Sequence, residues 1–231
     1  MQTDVPTTNV NMATDASVGT SSSAITKLLR PRDVHEARII QTAIEVFAEA
    51  GYAGTALAAI ADRANLSKQN LLYYFPTKPF LYQRVLDFVL DQWLDRMNIL
   101  AQEEQEPAEL IRAYIRAKLQ FSKEQPQASR VYAMEVIGGA QFYAESMREK
   151  ILPMLQKDIA VFERWIAQGK IASINPTHLL FSIWAMTQSY ADFATQMSLV
   201  LGHAPLNDED FELAEQSIIE MVLARLCFPS A

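Results

Sequence analysis

Residues 58–75, AAIADRANLSKQNLLYYF, constrain this chain more than any other stretch. They predict two short helices joined by a tight turn. Leu57, Ile60 and Ala61 give the first helix its inward face, and Thr55 is placed to cap it. Asn65 falls at the turn, where a left-handed residue is wanted and Asn is tolerated better than most non-glycines. Ser67 is placed to cap the second helix, whose first turn is Lys68, Gln69 and Asn70. This is the layout of a helix-turn-helix, whose second helix enters the major groove with its N-terminal residues at base edges. Lys68 and the capped amides can meet phosphates, and the Tyr73 and Tyr74 hydroxyls can do the same. Gln69 and Asn70 carry amides suited to adenine or mixed base edges. The same pattern also describes an amphipathic helix pair inside a bundle, with its polar residues simply solvated.

Charge bears on that choice. The chain has 231 residues and a net charge of −7, yet residues 26–78 hold seven Lys/Arg against five Asp/Glu. The acidity therefore lies in the rest of the chain, leaving a mildly basic head that can approach phosphates while the body is repelled. The longest nearly apolar run, Leu179 to Met186, is too short to span a bilayer, so no membrane partner is expected. No apolar segment of a secretory signal stands near residue 1. A single Cys227 excludes an internal disulfide and fits a reducing cytoplasm.

Along the chain, residues 1–30 predict a disordered tail, being Ser/Thr/Asn-rich with few large apolar residues. Helical spacing begins near Asp33, and Gly51 ends the first helix. Thr77 opens a long fourth helix, with Pro79 harmless in its first turn. Further helices are predicted at about 107–123, 126–138, 142–168, 176–201 and 208–227. No strand alternation appears. The expected architecture is all-α with about nine helices. A three-helix DNA-binding domain over residues 31–78 precedes a helical ligand-binding and dimerisation domain over 79–231.

From Gly51-Tyr-Ala-Gly-Thr55 through Phe75 and Lys78, the chain resembles the DNA-binding domain of the TetR family of one-component repressors. The matches are Thr55, Ile60-Ala61, Ala64, Ser67, Leu71, Tyr73, Phe75 and Lys78. Departures are Asn65 for the usual turn glycine, Gln69 for a frequent glycine and Leu72 for a frequent tyrosine. The resemblance implies a cytoplasmic homodimer on a double-stranded, pseudo-palindromic operator, with Thr55 and Lys78 joining the DNA-binding set, and release by a small molecule. Three more stretches resemble the pyrimidine-utilisation branch of that family. These are Leu71–Lys78, then Pro126–Arg130 with Met134-Glu135, then Ile183–Gln188 with Tyr190–Phe193.

Thr177, Phe181, Trp184, Gln188, Asp192 and Thr195 share one helix face. An indole beside a carboxamide and a carboxylate suits a planar heterocycle, though the same spacing describes a core face with a few satisfied polar groups. The resemblance tips the reading to a pyrimidine base, uracil or thymine, held by Trp184 and Gln188 with Asp192 and Met134 beside them. A purine or another metabolite is the alternative effector. In the last two helices, the stripe Ile218, Met221, Val222 and Leu226 is either core or, as the resemblance implies, part of a dimer interface.

Catalysis is not expected. His35, His178 and His203 are scattered away from metal-ligand spacing, and no phosphate loop or nucleophile elbow occurs. The acidic run at 103–109 reads as a solvated helix end. Neither metal nor cofactor is implied.

Overall fold

The computed structural model describes residues 31–100 and 105–226. The expected tail, Glu103, Glu104 and Cys227 lie outside the described residues. Among those described, ten α-helices and no strands are found: α1 Pro31–Gly54, α2 Leu57–Arg63, α3 Lys68–Tyr74, α4 Lys78–Met97, α5 Pro107–Glu124, α6 Pro126–Ile137, α7 Leu152–Ala167, α8 Pro176–Asp192, α9 Ala194–Leu201 and α10 Asp208–Leu226. None of them is long and apolar enough to cross a membrane.

Helix ends follow local chemistry closely. Gly51 turns to φ +67° and stops the regular course of α1, as its position predicts. Asn65 takes φ +55° at the turn between α2 and α3. The Oγ atoms of Ser67 and Thr77 accept the amides of Asn70 (3.1 Å) and Phe80 (3.2 Å), and Asn175 Oδ1 accepts that of His178 (3.1 Å). Each cap satisfies an amide that has no partner within its helix.

Three local features depart from expectation. Thr55 does not cap α2: the cap position is Ala56, without a side-chain bond. The Thr55 hydroxyl is turned inward to donate to the carbonyl of Gly51 at 2.8 Å, closing the kink where the helical ladder stops. The single helix expected over 176–201 is two, broken at Phe193 (φ −113°, ψ 22°). Just upstream, the hydroxyls of Thr187 and Ser189 donate to the carbonyls of Ile183 (2.7 Å) and Met186 (2.9 Å), a back-bonding that bends helices. The helix expected over 142–168 enters through a short α-turn, Ala144–Ser146, and a π-turn, Met147–Ile151. Pro153 has no amide to continue the α-ladder, and the wider turn makes room for its ring.

Two apolar clusters form the core. One joins the inner faces of α1, α2, α3 and the first half of α4 to α6 and Tyr143. The other joins the end of α4 to α5, α7, α8 and α10. Trp93 and Trp184 pack against both clusters, so the two indoles mark the seam between them. Ile218, Val222 and Leu226 are taken up by the second cluster, while Met221 remains exposed. Of the predicted interface stripe, therefore, only Met221 faces outward.

Candidate functional site

The first candidate surface is α3. Leu71 and Phe75 are buried beneath it and fix its rotation, so Lys68, Gln69 and Asn70 stand exposed on its first turn. Tyr73 follows on the same side, 70% exposed, with its ring perpendicular to that of Tyr74 at 5.2 Å. The Ser67 cap holds the start of the helix in place. Thr55 and Lys78 sit elsewhere in the arrangement. Thr55 is buried under the α1–α2 corner, where its hydroxyl positions α2. Lys78 Nζ lies 4.4 Å over the Tyr52 ring and donates to the carbonyl of Ala53 at 3.4 Å. It thereby ties the first turn of α4 to the end of α1.

The second candidate is a small cavity at the seam, walled by Val89, Leu90 and Trp93 of α4, Phe121 of α5, Ser129 and Tyr132 of α6, and Gln188 of α8. Its free volume is about 10 Å³, enough for about one water molecule. Gln188 is the amide-bearing residue among these walls. Behind the wall, the Ser129 hydroxyl donates to Asp192 Oδ1 at 2.6 Å, and burial still pushes the Asp192 carboxyl above its ordinary range. Trp184 stands beside the cavity, edge-on to Trp93 at 5.6 Å, its indole N–H donating to the Tyr114 hydroxyl at 2.7 Å.

Trp184, Gln188 and Asp192 are thus brought together along α8, as their spacing predicts. Met134 is half-buried on α6 and forms no part of the wall. Phe181 is largely exposed, and the break at Phe193 carries Thr195 into a different groove. That groove is larger, about 680 Å³, with Arg130, Tyr190, His203 and Phe211 among its walls. It holds none of Trp184, Gln188, Asp192 and Met134, and its Lys123 is paired with Asp208 at 2.9 Å.

Beside the seam lies a polar cluster. Lys118 Nζ is buried 4.4 Å over the Trp93 ring and 5.6 Å from that of Trp184, without a hydrogen-bond partner. Burial lowers its ammonium to about 7, although Asp192 and Asp158 oppose the shift. Asp158 of α7 is also buried, with Oδ2 unpartnered, and burial raises its carboxyl to about 7 against the pull of Lys118. Both residues interrupt apolar rows: Lys118 between Tyr114 and Phe121 on α5, Asp158 between Leu155 and Phe162 on α7. A charge on the inner stripe of an amphipathic helix is the signal by which the sequence could have shown them.

Two contacts run from the cavity towards α3. One is α4 itself, which carries Trp93 in the wall and Lys78 at its start. The other passes through neighbouring residues after α6. Tyr143 packs perpendicular to Tyr132 of the wall at 6.1 Å, while Phe142 lies 4.4 Å from Tyr52 and 5.5 Å from Tyr82. The Phe142 amide donates to buried Glu135 Oε1 at 2.7 Å, which fixes the loop.

Known proteins share this fold and its two-part organisation. Residues 39–85 match the family model for bacterial regulatory proteins of the tetR family, and residues 86–229 match that for the C-terminal region of YcdC-like proteins. The HTH-type transcriptional regulator RutR of Escherichia coli K12 is 41% identical over 192 residues, covering 81% of this chain and 90% of its own. The HTH-type transcriptional regulator BetI of Burkholderia ambifaria is 26% identical over 126 residues, 54% of this chain and 61% of its own. Among solved structures, AibR in complex with isovaleryl coenzyme A and operator DNA superposes with a TM-score of 0.65 at 17% identity, covering 81% of this chain and 97% of its own. The ketosteroid regulator KstR2 of Mycobacterium tuberculosis does so at 0.69 and 16% identity, covering 84% and 95%.

Proposed function

Because this chain belongs to the TetR family of bacterial DNA-binding transcription regulators, we propose that it is a cytoplasmic repressor of pyrimidine catabolism, released from its operator by uracil or thymine. Lys68, Gln69, Asn70, Tyr73 and Tyr74 contact the DNA, Ser67 orders their helix, and Thr55 and Lys78 position it. Two copies pair through α8 and α10, with exposed Phe181, Leu213 and Met221 available to the contact. Their recognition helices read half-sites about 34–36 Å apart.

One observation carries the effector reading: the cavity lined by Gln188 is walled by α4, the helix whose first turn is tied to α1. A pyrimidine offers alternating carbonyl and N–H groups to Gln188 and a flat face to the indoles. It is several times larger than a water molecule, so it can enter only if Val89, Leu90 and Trp93 give way. That requirement supplies the differential affinity release demands, because the ligand binds the displaced state of α4 and not the closed one. The contact of Phe142 with Tyr52 transmits the same displacement from α6.

The test is operator binding followed by fluorescence anisotropy, on a DNA fragment that the protein itself selects from a random pool. Uracil or thymine is expected to release the protein, with cytosine as the comparison base. Binding of DNA that neither uracil nor thymine disturbs, together with no calorimetric heat from either, removes the pyrimidine assignment and leaves the regulator.

A further inference from the structure

Lys118 and Asp158 present a problem that packing does not solve. Lys118 Nζ and Asp158 Oδ2 are both buried and without hydrogen-bond partners, so they are not bonded to each other. Buried polar groups are nearly always satisfied, and leaving two opposite ones unmet is costly. A pair kept for stability alone would close into a direct ion pair, and even that is often no better than an apolar replacement. The ammonium lies beside the two indoles that mark the seam, 4.4 Å from the ring of Trp93, which is itself part of the cavity wall, and 5.6 Å from that of Trp184. Asp192, hydrogen-bonded to the wall residue Ser129, lies within electrostatic reach of the same ammonium.

We propose that Lys118 and Asp158 are effector-binding residues that together read one amide edge of the ligand, the ring carbonyl accepting from Lys118 and the adjoining N–H donating to Asp158. The proposal rests on the reading of the seam cavity as the effector site and narrows its ligand class to planar cyclic amides. A donor beside an acceptor matches a carbonyl beside an N–H, the pattern of a lactam or imide edge. Aromatic amines and apolar acids lack that pair of groups. Gln188 then meets the ring from α8, and the indoles of Trp93 and Trp184 cover its faces. Entry along this path parts Trp93 from Trp184, so the ligand occupies the seam itself and not only the small void.

Calorimetric titration of the full-length protein with uracil, 1,3-dimethyluracil and hypoxanthine tests this, alongside Lys118→Met and Asp158→Asn variants whose thermal unfolding is recorded. Uracil is expected to bind the wild type. Both variants should lose at least tenfold in affinity while unfolding no earlier than the wild type. 1,3-Dimethyluracil, which keeps the ring and both carbonyls but has no N–H, should bind the wild type at least tenfold more weakly than uracil. Uracil affinity within threefold of wild type in both variants overturns the proposal and leaves the pyrimidine reading intact. If one variant fails to fold, the other and the dimethylated base decide. Should hypoxanthine bind in place of uracil and lose affinity in the variants, the lactam contact stands and the pyrimidine assignment falls. If the wild type binds neither, both fall.

Discussion

Replacing Lys118 by Met should make this protein more stable, and the gain should depend on pH in a definite direction. Burial holds the Lys118 ammonium at about 7 instead of 10.5, a gap worth about 5 kcal/mol. The sign follows from which state holds the proton. Below about 7 both folded and unfolded chains carry the charge, and the folded state bears its full burial penalty. Between about 7 and 10.5 the folded chain has released the proton and the unfolded chain has not, so the penalty shrinks by about 1.4 kcal/mol per pH unit. Above 10.5 it is gone. Methionine removes the penalty but also removes the ammonium from the Trp93 face, worth about 1–2 kcal/mol when desolvated, and leaves a small void worth about 1 kcal/mol. The net gain at pH 6 is about 2–3 kcal/mol, or about 5–10 °C in unfolding temperature for a chain of this size. By pH 9.5 it should have vanished or reversed. The assay is thermal unfolding by circular dichroism at pH 6, 8 and 9.5. An unfolding temperature below wild type at pH 6, or a difference that stays constant across the series, refutes the reasoning.

Ser67→Ala should lower stability by about 1 kcal/mol through loss of the α3 cap, read by denaturant unfolding, with operator affinity falling as the first turn of α3 frays. Lys68→Ala should weaken operator binding across all DNA sequences and reduce its salt dependence by about one phosphate contact, measured by anisotropy at several salt concentrations. Phe142→Ala should leave uracil binding within a few-fold of wild type by calorimetry while uracil releases DNA less completely. If release is unchanged, the Phe142 contact is not part of the coupling.

What could be read from the sequence was local. Gly51, Asn65, Ser67 and Thr77 act within three or four residues of themselves, so their roles follow from residue type and position. Thr55 was misread because its hydroxyl chose the Gly51 carbonyl, which is open only because the chain kinks there. The face running from Thr177 to Thr195 was drawn too long, since periodicity does not register the break at Phe193. The cavity walls were hidden for a different reason. Trp93, Ser129 and Tyr132 come from helices whose pairing is a tertiary matter, and only Gln188 on α8 lay on a face already singled out. Lys118 and Asp158 could have been noticed as charges on inward stripes, but their proximity across α5 and α7 appears only in three dimensions.

A cavity of about 10 Å³ also bears on apparent affinity. A site that must open before it can fill has an apparent affinity reduced by the fraction of time it spends open. A state open about 1% of the time weakens binding about a hundredfold, however good the contacts inside. On the proposed reading of the cavity as the effector site, the threshold concentration is therefore set as much by the packing of Val89, Leu90 and Trp93 as by the groups that touch the ligand. Trimming one of those side chains lowers the threshold without adding a contact. Response range and chemical selectivity can then be tuned separately, the first through α4 and the second through Gln188.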